Sequence, residues 1–193
     1  RDDGHAWRAR ACAVVTGIGT VRKDDPQMTV RAIETARQPL RVVVDTRFEI
    51  DPQARILQGG QALIAVCVDQ ELPVYKEKSQ ALRDRGIEVL TLPAEPVSGK
   101  LDLQALMQAL AARECNEVHL EAGAHLSGAM MQLGLIDEWL IYVGPTLLGD
   151  GMPLAAGVGP WKDPEQAPRW RWKEHLLIGD ALRLRLVKSG SQG

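Results

Sequence analysis

Short apolar runs alternate with amphipathic stretches along most of the chain. Residues 1–10 read as a helix, and Cys12-Ala13-Val14-Val15 begins a strand over 12–16. Further apolar runs predict strands at 40–45, 62–68, 87–92, 117–120 and 139–143. Helices are predicted between them at 71–85, 103–113 and 124–133, the second on the helical spacing of Leu103, Leu106, Met107 and Leu110. Gly86 and Gly134 are placed to end helices, and Asp102 to cap one. Strands separated by helices of this length imply a mostly parallel central sheet with helices on both faces. The ending differs. Residues 169–178 and 181–187 flank Gly179-Asp180 and read as an antiparallel hairpin. Alternation in Leu182-Arg183-Leu184-Arg185-Leu186 puts leucines on one of its faces and arginines on the other. The fold class is therefore α/β with a C-terminal antiparallel hairpin. The stretch 144–168, rich in Gly and Pro, is long for a connection and is a candidate functional loop.

Composition narrows the class of function. The chain has 193 residues, 45% hydrophobic and 25% charged, enough for one domain with a full core. A formal net charge of -2 argues against a general nucleic-acid or membrane binder, which needs a basic surface. No apolar run reaches the roughly 20 residues of a membrane span, and no signal peptide is evident. Cys12, Cys67 and Cys115 are far apart and odd in number, which fits neither a disulfide framework nor a zinc site. They read as small buried hydrophobes in a cytoplasmic protein.

Ligands of open parallel sheets collect at the carboxyl ends of the strands, and three turns are expected there. The first is Thr16-Gly17-Ile18-Gly19-Thr20, followed by Asp24-Asp25-Pro26 and closed by Arg31. Its glycines suit close approach of a ligand to the backbone. Asp24-Asp25-Pro26 reads as acid/base residues, as metal ligands or, by default, as a helix-ending turn. Arg8 and Arg31 flank this turn and are suited to clamp a phosphate, or else are surface arginines. The second turn is Asp45-Thr46-Arg47. An acid here suits ribose hydroxyls, whereas Thr46 and Arg47 suit a 2′-phosphate, which leans towards NADP over NAD. The third is Glu121-Ala122-Gly123, opening a helix with His125, Ser127 and Gly128 in its first turns. The free amides there suit a pyrophosphate, or Gly128 merely allows close packing between helix and sheet. Glu121 is placed either to accept hydrogen bonds from a substrate or to complement the helix dipole. His5, His119, His125 and His175 are scattered, with no metal-ligand spacing. Lacking a nucleophile elbow, a Walker motif and a metal cluster, the chain suits hydride transfer from a cofactor.

Taken in order, the motifs are familiar. They are Thr16-Gly17-Ile18-Gly19-Thr20-Val21, Asp24-Asp25-Pro26, Met28-Thr29-Val30-Arg31, the run from Pro39 to Asp45-Thr46, Leu120-Glu121-Ala122-Gly123 with Leu126 and Gly128, Gly134-Leu135-Ile136-Asp137-Glu138, and Pro145 with Leu147-Leu148-Gly149. This set closely resembles the reductase domain of the RibD family of bifunctional riboflavin biosynthesis proteins. The resemblance implies a dihydrofolate-reductase-like fold. It also implies NADPH-dependent reduction of the ribosyl side chain of 5-amino-6-(5-phosphoribosylamino)uracil to the ribityl form. On the matching positions, it implies that Thr20, Asp24 and Thr46 contact the cofactor. It places Gly123, Ala124, His125, Leu126, Ser127, Gly128 and Ala129 in the pyrophosphate loop. It implies that Arg8, Met28 and Arg31 surround the substrate phosphate, Met28 through its backbone. It further implies that Glu121 contacts the substrate and that Glu121 and Asp24 organise the reacting groups.

The family's zinc deaminase elements do not occur in these residues, and the family's reductase domain begins earlier, with a first strand that would precede Arg1. The expectation is a single reductase domain over 1–193, with its first strand missing and a deaminase domain on the same full-length polypeptide. A homodimer is expected, because the apolar edge of the terminal hairpin offers a pairing surface. Two alternatives stand beside this. One is a dihydrofolate-reductase-like reductase of a pterin or another small carbonyl compound. The other is a non-catalytic nucleotide-binding or dimerisation module.

Overall fold

The first five apolar runs pair as one parallel sheet. The computed structural model describes residues 2–159, 161 and 163–189. Arg1 of the expected first helix, Pro160 and Lys162 of the expected 144–168 loop, and residues 190–193 of the expected domain lie outside the described residues. Two compact units divide the chain, Arg1–Gly123 and Ala124–Gly193.

The first unit begins with helix α1 (Asp2–Arg10), acidic in its first turn and basic in its last, which complements the helix dipole. Strands β1 (Ala13–Gly17), β2 (Leu40–Val44), β3 (Ala62–Val66), β4 (Glu88–Thr91) and β5 (Val118–Leu120) form the sheet in the order β4-β3-β2-β1-β5. All four pairings are parallel. β1 to β4 advance in one direction through α2 (Ile18–Asp24) and α3 (Pro73–Asp84), whereas α4 (Leu103–Ala111) leads back to β5 on the far side of β1. Right-handed crossovers therefore put α4 on the face opposite α2 and α3. Both faces are filled. Val14, Val43, Ile64, Val66 and Val89 pack with Val21 of α2 and Leu82 of α3. The alternate positions Ala13, Val15, Val42, Leu63 and Ala65 are also buried, as are Leu106 and Leu110 of α4. Strands buried on two sides read as continuous apolar runs, which is why the sequence shows them clearly.

Helix ends follow local chemistry. Gly86 takes a positive φ after α3, and its N–H bonds Arg83 O at 2.8 Å. The Asp102 side chain accepts from the N–H groups of Gln104 and Ala105 at 2.8 and 3.0 Å. An Asp102→Ala variant is expected to lose about 1 kcal/mol of stability by urea denaturation, since those two amides lose their cap.

Two expectations need correction. The segment 16–20 is not a turn. Thr16 and Gly17 complete β1, and α2 begins at Ile18. The reason is the spacing of Ile18 and Val21, which buries Val21 and packs Ile18 against the core. Asp25 ends α2 in the left-handed region, so the helix-ending reading of Asp24-Asp25-Pro26 holds. The cysteines are only half-buried, because Cys12 precedes β1 and Cys67 follows β3, at strand ends.

The second unit has α5 (Ala124–Gln132) and an antiparallel sheet of β6 (Glu138–Val143), β7 (Trp170–Ile178) and β8 (Ala181–Lys188), in the order β6-β8-β7. The hairpin forms as expected. However, the strand at 139–143 joins the hairpin and not the parallel sheet. The arginine face of β8 explains the pairing. Arg185 Nε donates to Glu138 Oε1 of β6 at 2.7 Å, and Arg183 pairs with Glu174 of β7. Each guanidinium thus meets a carboxylate across the ladder on either side.

Candidate functional site

In the first unit the side chains of Arg8 and Glu121, 113 residues apart in the chain, are brought together. Arg8 lies in the last turn of α1, and Glu121 follows β5. The fork of Arg8 takes both carboxylate oxygens, Nε with Oε1 and Nη2 with Oε2, the latter at 2.7 Å. Such a two-point pair is strong and directional. The same guanidinium donates from Nη1 to Thr29 O at 3.2 Å, and its Nη2 lies 3.8 Å from Met28 Sδ. On the other side, His119 Nε2 lies 3.4 Å from Glu121 Oε1. Burial of Glu121 opposes its charge. The hydrogen bonds and positive charge of Arg8 and His119 outweigh that, and the pKa is lowered to about 2. Glu121 is therefore a fixed carboxylate at neutral pH. It can accept hydrogen bonds but cannot deliver a proton.

The segment 28–31 is pinned beside this pair. The Gln38 side chain clasps Val30 at two points, accepting from its N–H and donating to its O, both at 2.8 Å. Met28 is buried in the left-handed region at φ 53°. The Arg31 N–H donates to Nδ1 of His5 at 3.3 Å, and His5 lies one turn before Arg8 on α1. Arg8, Met28 and Glu121 thus lie together, and Arg31 joins them through its backbone. The side chain of Arg31 is exposed and the guanidinium of Arg8 is engaged, so the two arginines differ in availability.

Residues of the other expected turns fall in separate places. Thr16 is wholly buried, which leaves Gly17 to Thr20 as the accessible part of the first segment. Thr20 Oγ1 lies 3.9 Å from where a Cβ on Gly123 would stand, so the ends of β1 and β5 meet there. Asp24 is exposed at the end of α2. Asp45 is wholly buried, and its Oδ2 accepts the Ile50 N–H at 2.7 Å. It organises the turn after β2 and is withdrawn from any ribose. Thr46 Oγ1 accepts the Leu101 N–H at 3.4 Å and keeps its own hydroxyl hydrogen to donate. Arg47 is exposed, with Glu49 at 3.9 Å.

In the second unit, Ala124 to Ala129 form the first turns of α5. Ala124, Ser127 and Gly128 are buried, while His125 is exposed. The Ala156 N–H donates to Ala124 O at 2.8 Å. A Cβ on Gly128 would stand 1.9 Å from Ala156 O, so this glycine permits approach of a loop backbone and not of a sheet.

Sequence reasoning passed over His119, His5 and Gln38. The position of His119 two residues before Glu121 on a strand was an available signal, since i and i+2 share a face. The roles of His5 and Gln38 depend on the path of 28–31, which has no periodic signature.

Among the described residues, no group of three or more His, Cys, Asp or Glu is placed to hold a metal ion. Among them too, no helix is long and apolar enough to cross a membrane. The residues present fit a nucleotide cofactor. Gly123 is exposed and a Cβ there would meet only Thr20 Oγ1 at 3.9 Å, the Thr20 and Thr46 hydroxyls can donate to ribose or phosphate oxygens, and Asp24 can accept.

Comparison with known proteins agrees with this architecture. The profile of the RibD C-terminal domain matches residues 1–184. The riboflavin biosynthesis protein RibD of Escherichia coli is 32% identical over 203 residues, covering 97% of this chain and 52% of that protein. RibD of Chlamydia trachomatis is 39% identical over 160 residues, covering 80% of this chain and 40% of that protein. The chain thus spans about half the length of these curated relatives. Among solved structures, Acinetobacter baumannii RibD superimposes with a TM-score of 0.81 at 31% identity, over 98% of this chain and 50% of that one. A riboflavin biosynthesis reductase of Saccharomyces cerevisiae shares the fold with a TM-score of 0.69 at 16% identity, over 97% of this chain and 79% of that one. With a parallel sheet, an antiparallel hairpin sheet and a domain profile that runs from its first residue to Arg183-Leu184, the chain belongs to the RibD C-terminal domain family.

Proposed function

We propose that this chain is an NADPH-dependent reductase that converts the ribosyl side chain of 5-amino-6-(5-phosphoribosylamino)uracil to the ribityl form in riboflavin biosynthesis. The observation that carries the reading is the domain match over residues 1–184. The anchored carboxylate of Glu121 supports it, as do the exposed side chain of Arg31 and the exposed glycine beside Thr20. In the first unit, Thr20, Asp24, Thr46 and Gly123 take the cofactor. NADPH, when bound, supplies the hydride that reduces C1′ of the opened sugar. Glu121 accepts hydrogen bonds from the substrate and fixes its orientation, and Arg31 holds its phosphate. Arg8 acts chiefly by holding Glu121. The full-length protein is a cytoplasmic homodimer that carries a deaminase domain on the same polypeptide.

The test is NADPH oxidation with this substrate, and its absence despite intact cofactor binding would refute the reading. Arg31→Ala is expected to raise KM for the phosphorylated substrate on the order of tenfold, the effect of one lost charged hydrogen bond. A pterin or another small carbonyl substrate without a phosphate would show no such dependence, and that result would favour a different reductase.

A further inference from the structure

His119 is outside every set of residues assigned above to substrate or cofactor. We infer that His119 is a positioning residue that leaves the Glu121 carboxylate one open acceptor site, on Oε2. The inference rests on the proposed function only for the identity of the ligand that uses that site.

A carboxylate offers about four lone-pair positions, two on each oxygen. On Oε1, one is taken by Arg8 Nε and the other faces His119 Nε2 at 3.4 Å. On Oε2, one is taken by Arg8 Nη2 at 2.7 Å. The remaining position on Oε2 is the one a ligand N–H or O–H can meet. Arg8 alone would not make this choice. Its fork leaves one lone pair free on each oxygen, so a ligand donor could use either. The imidazole closes Oε1 and removes the ambiguity.

The two anchors also come from different elements. Arg8 reaches Glu121 from α1, whereas His119 lies on β5 two residues before Glu121. Val14 of β1 pairs with His119 in register, and β1 is an interior strand between β2 and β5. His119 therefore ties the carboxylate to the sheet itself, and the carboxylate does not depend on the docking of α1 alone. The charged or titratable groups that face Glu121 are these two, Arg8 from the helix and His119 from the strand. The other neighbours of the Arg8 head, Met28 and Thr29, carry no charge.

The experiment uses the protein with His119→Phe and His119→Gln. Phenylalanine fills the space without a donor, and glutamine restores an N–H at similar reach. Carboxyl carbon NMR follows the titration of Glu121 without cofactor or substrate. In His119→Phe the midpoint is expected to move up from that of the parent protein, and His119→Gln to return most of the way. In steady-state NADPH oxidation, His119→Phe is expected to raise KM for 5-amino-6-(5-phosphoribosylamino)uracil roughly threefold to tenfold. The kcat should change by less than about twofold, since binding geometry is what is lost. His119→Gln should recover KM. An unchanged Glu121 midpoint in His119→Phe overturns the inference, as does an unchanged KM. If the parent protein does not turn over this substrate at all, the proposed function fails, and the NMR measurement alone decides the role of His119.

Discussion

An Arg8→Met variant is expected to lose about 2 kcal/mol of stability at pH 7 and on the order of a hundredfold in kcat/KM. Methionine keeps the apolar stem of Arg8 but removes both hydrogen bonds of the fork, leaving Glu121 with the His119 imidazole at 3.4 Å. The two side chains are only 17% and 26% exposed, so water does not replace the lost fork in full. Glu121→Gln removes the charge as well as the pairing and should cost less. The double variant Arg8→Met with Glu121→Gln should cost less than the two single losses added together, because the burial penalty on a lone carboxylate disappears. The pH dependence provides a second reading of the same pair. The pKa of Glu121 is lowered from 4.5 to about 2 by folding, so it adds stability above 4.5 that is lost as pH falls towards 2. That difference corresponds to about 3 kcal/mol at most. Urea denaturation at a series of pH values should therefore show an acid limb in the parent protein that is flatter in Glu121→Gln. Strictly additive losses, with the same acid limb in all variants, would show that the pair contributes nothing beyond its separate parts.

The same pair marks where the sequence stops being informative. Strands buried on both faces, such as Leu63 to Val66, announce themselves as apolar runs, and Asp102 and Gly86 signal helix ends by their own chemistry. These features depend on neighbours within a few residues. The pairing of Arg8 with Glu121 depends on α1 meeting the end of β5, and no local pattern encodes that meeting. The resemblance to a family singled out both residues, but as two contacts of a ligand and not as partners. The segment after β1 misled for the opposite reason. Gly17 and Gly19 are turn-forming residues by type, yet Ile18 and Val21 gain more by burying one helical face than the glycines lose. Likewise Asp45 looked available at a strand end, and only the path of 46–50 shows its carboxylate turned inward to Ile50. The strand at 139–143 is visible as an apolar run, but its partner is not. Its neighbour is decided by Glu138 finding Arg185 across the antiparallel ladder.

Gly128→Ala is expected to destabilise the protein by about 2 kcal/mol, lowering Tm by roughly 4–8 °C. Alanine inside α5 would by itself favour the helix by up to about 1 kcal/mol. Against that, the added Cβ would stand 1.9 Å from Ala156 O and 2.9 Å from Ala156 C. Both are backbone atoms, so no side chain can rotate away, and the 156 segment must withdraw. Its withdrawal breaks the bond from the Ala156 N–H to Ala124 O and disturbs the bond from Gln132 to Gly157 O. Overpacking against backbone thus exceeds the gain in helix propensity. Gly123 provides the contrast. A Cβ there meets only Thr20 Oγ1 at 3.9 Å, an ordinary contact, so Gly123→Ala should leave Tm unchanged. If Gly123 admits the cofactor as proposed, the same variant should raise KM for NADPH several-fold, as the methyl group occupies space the nucleotide needs. The two glycines belong to one sequence motif, yet the fold requires Gly128 and the proposed cofactor site requires Gly123. Thermal unfolding and NADPH kinetics on both variants separate these requirements. A stable Gly128→Ala protein would show that the 156 segment moves freely, and a Gly123→Ala protein with unaltered KM would remove Gly123 from the cofactor site.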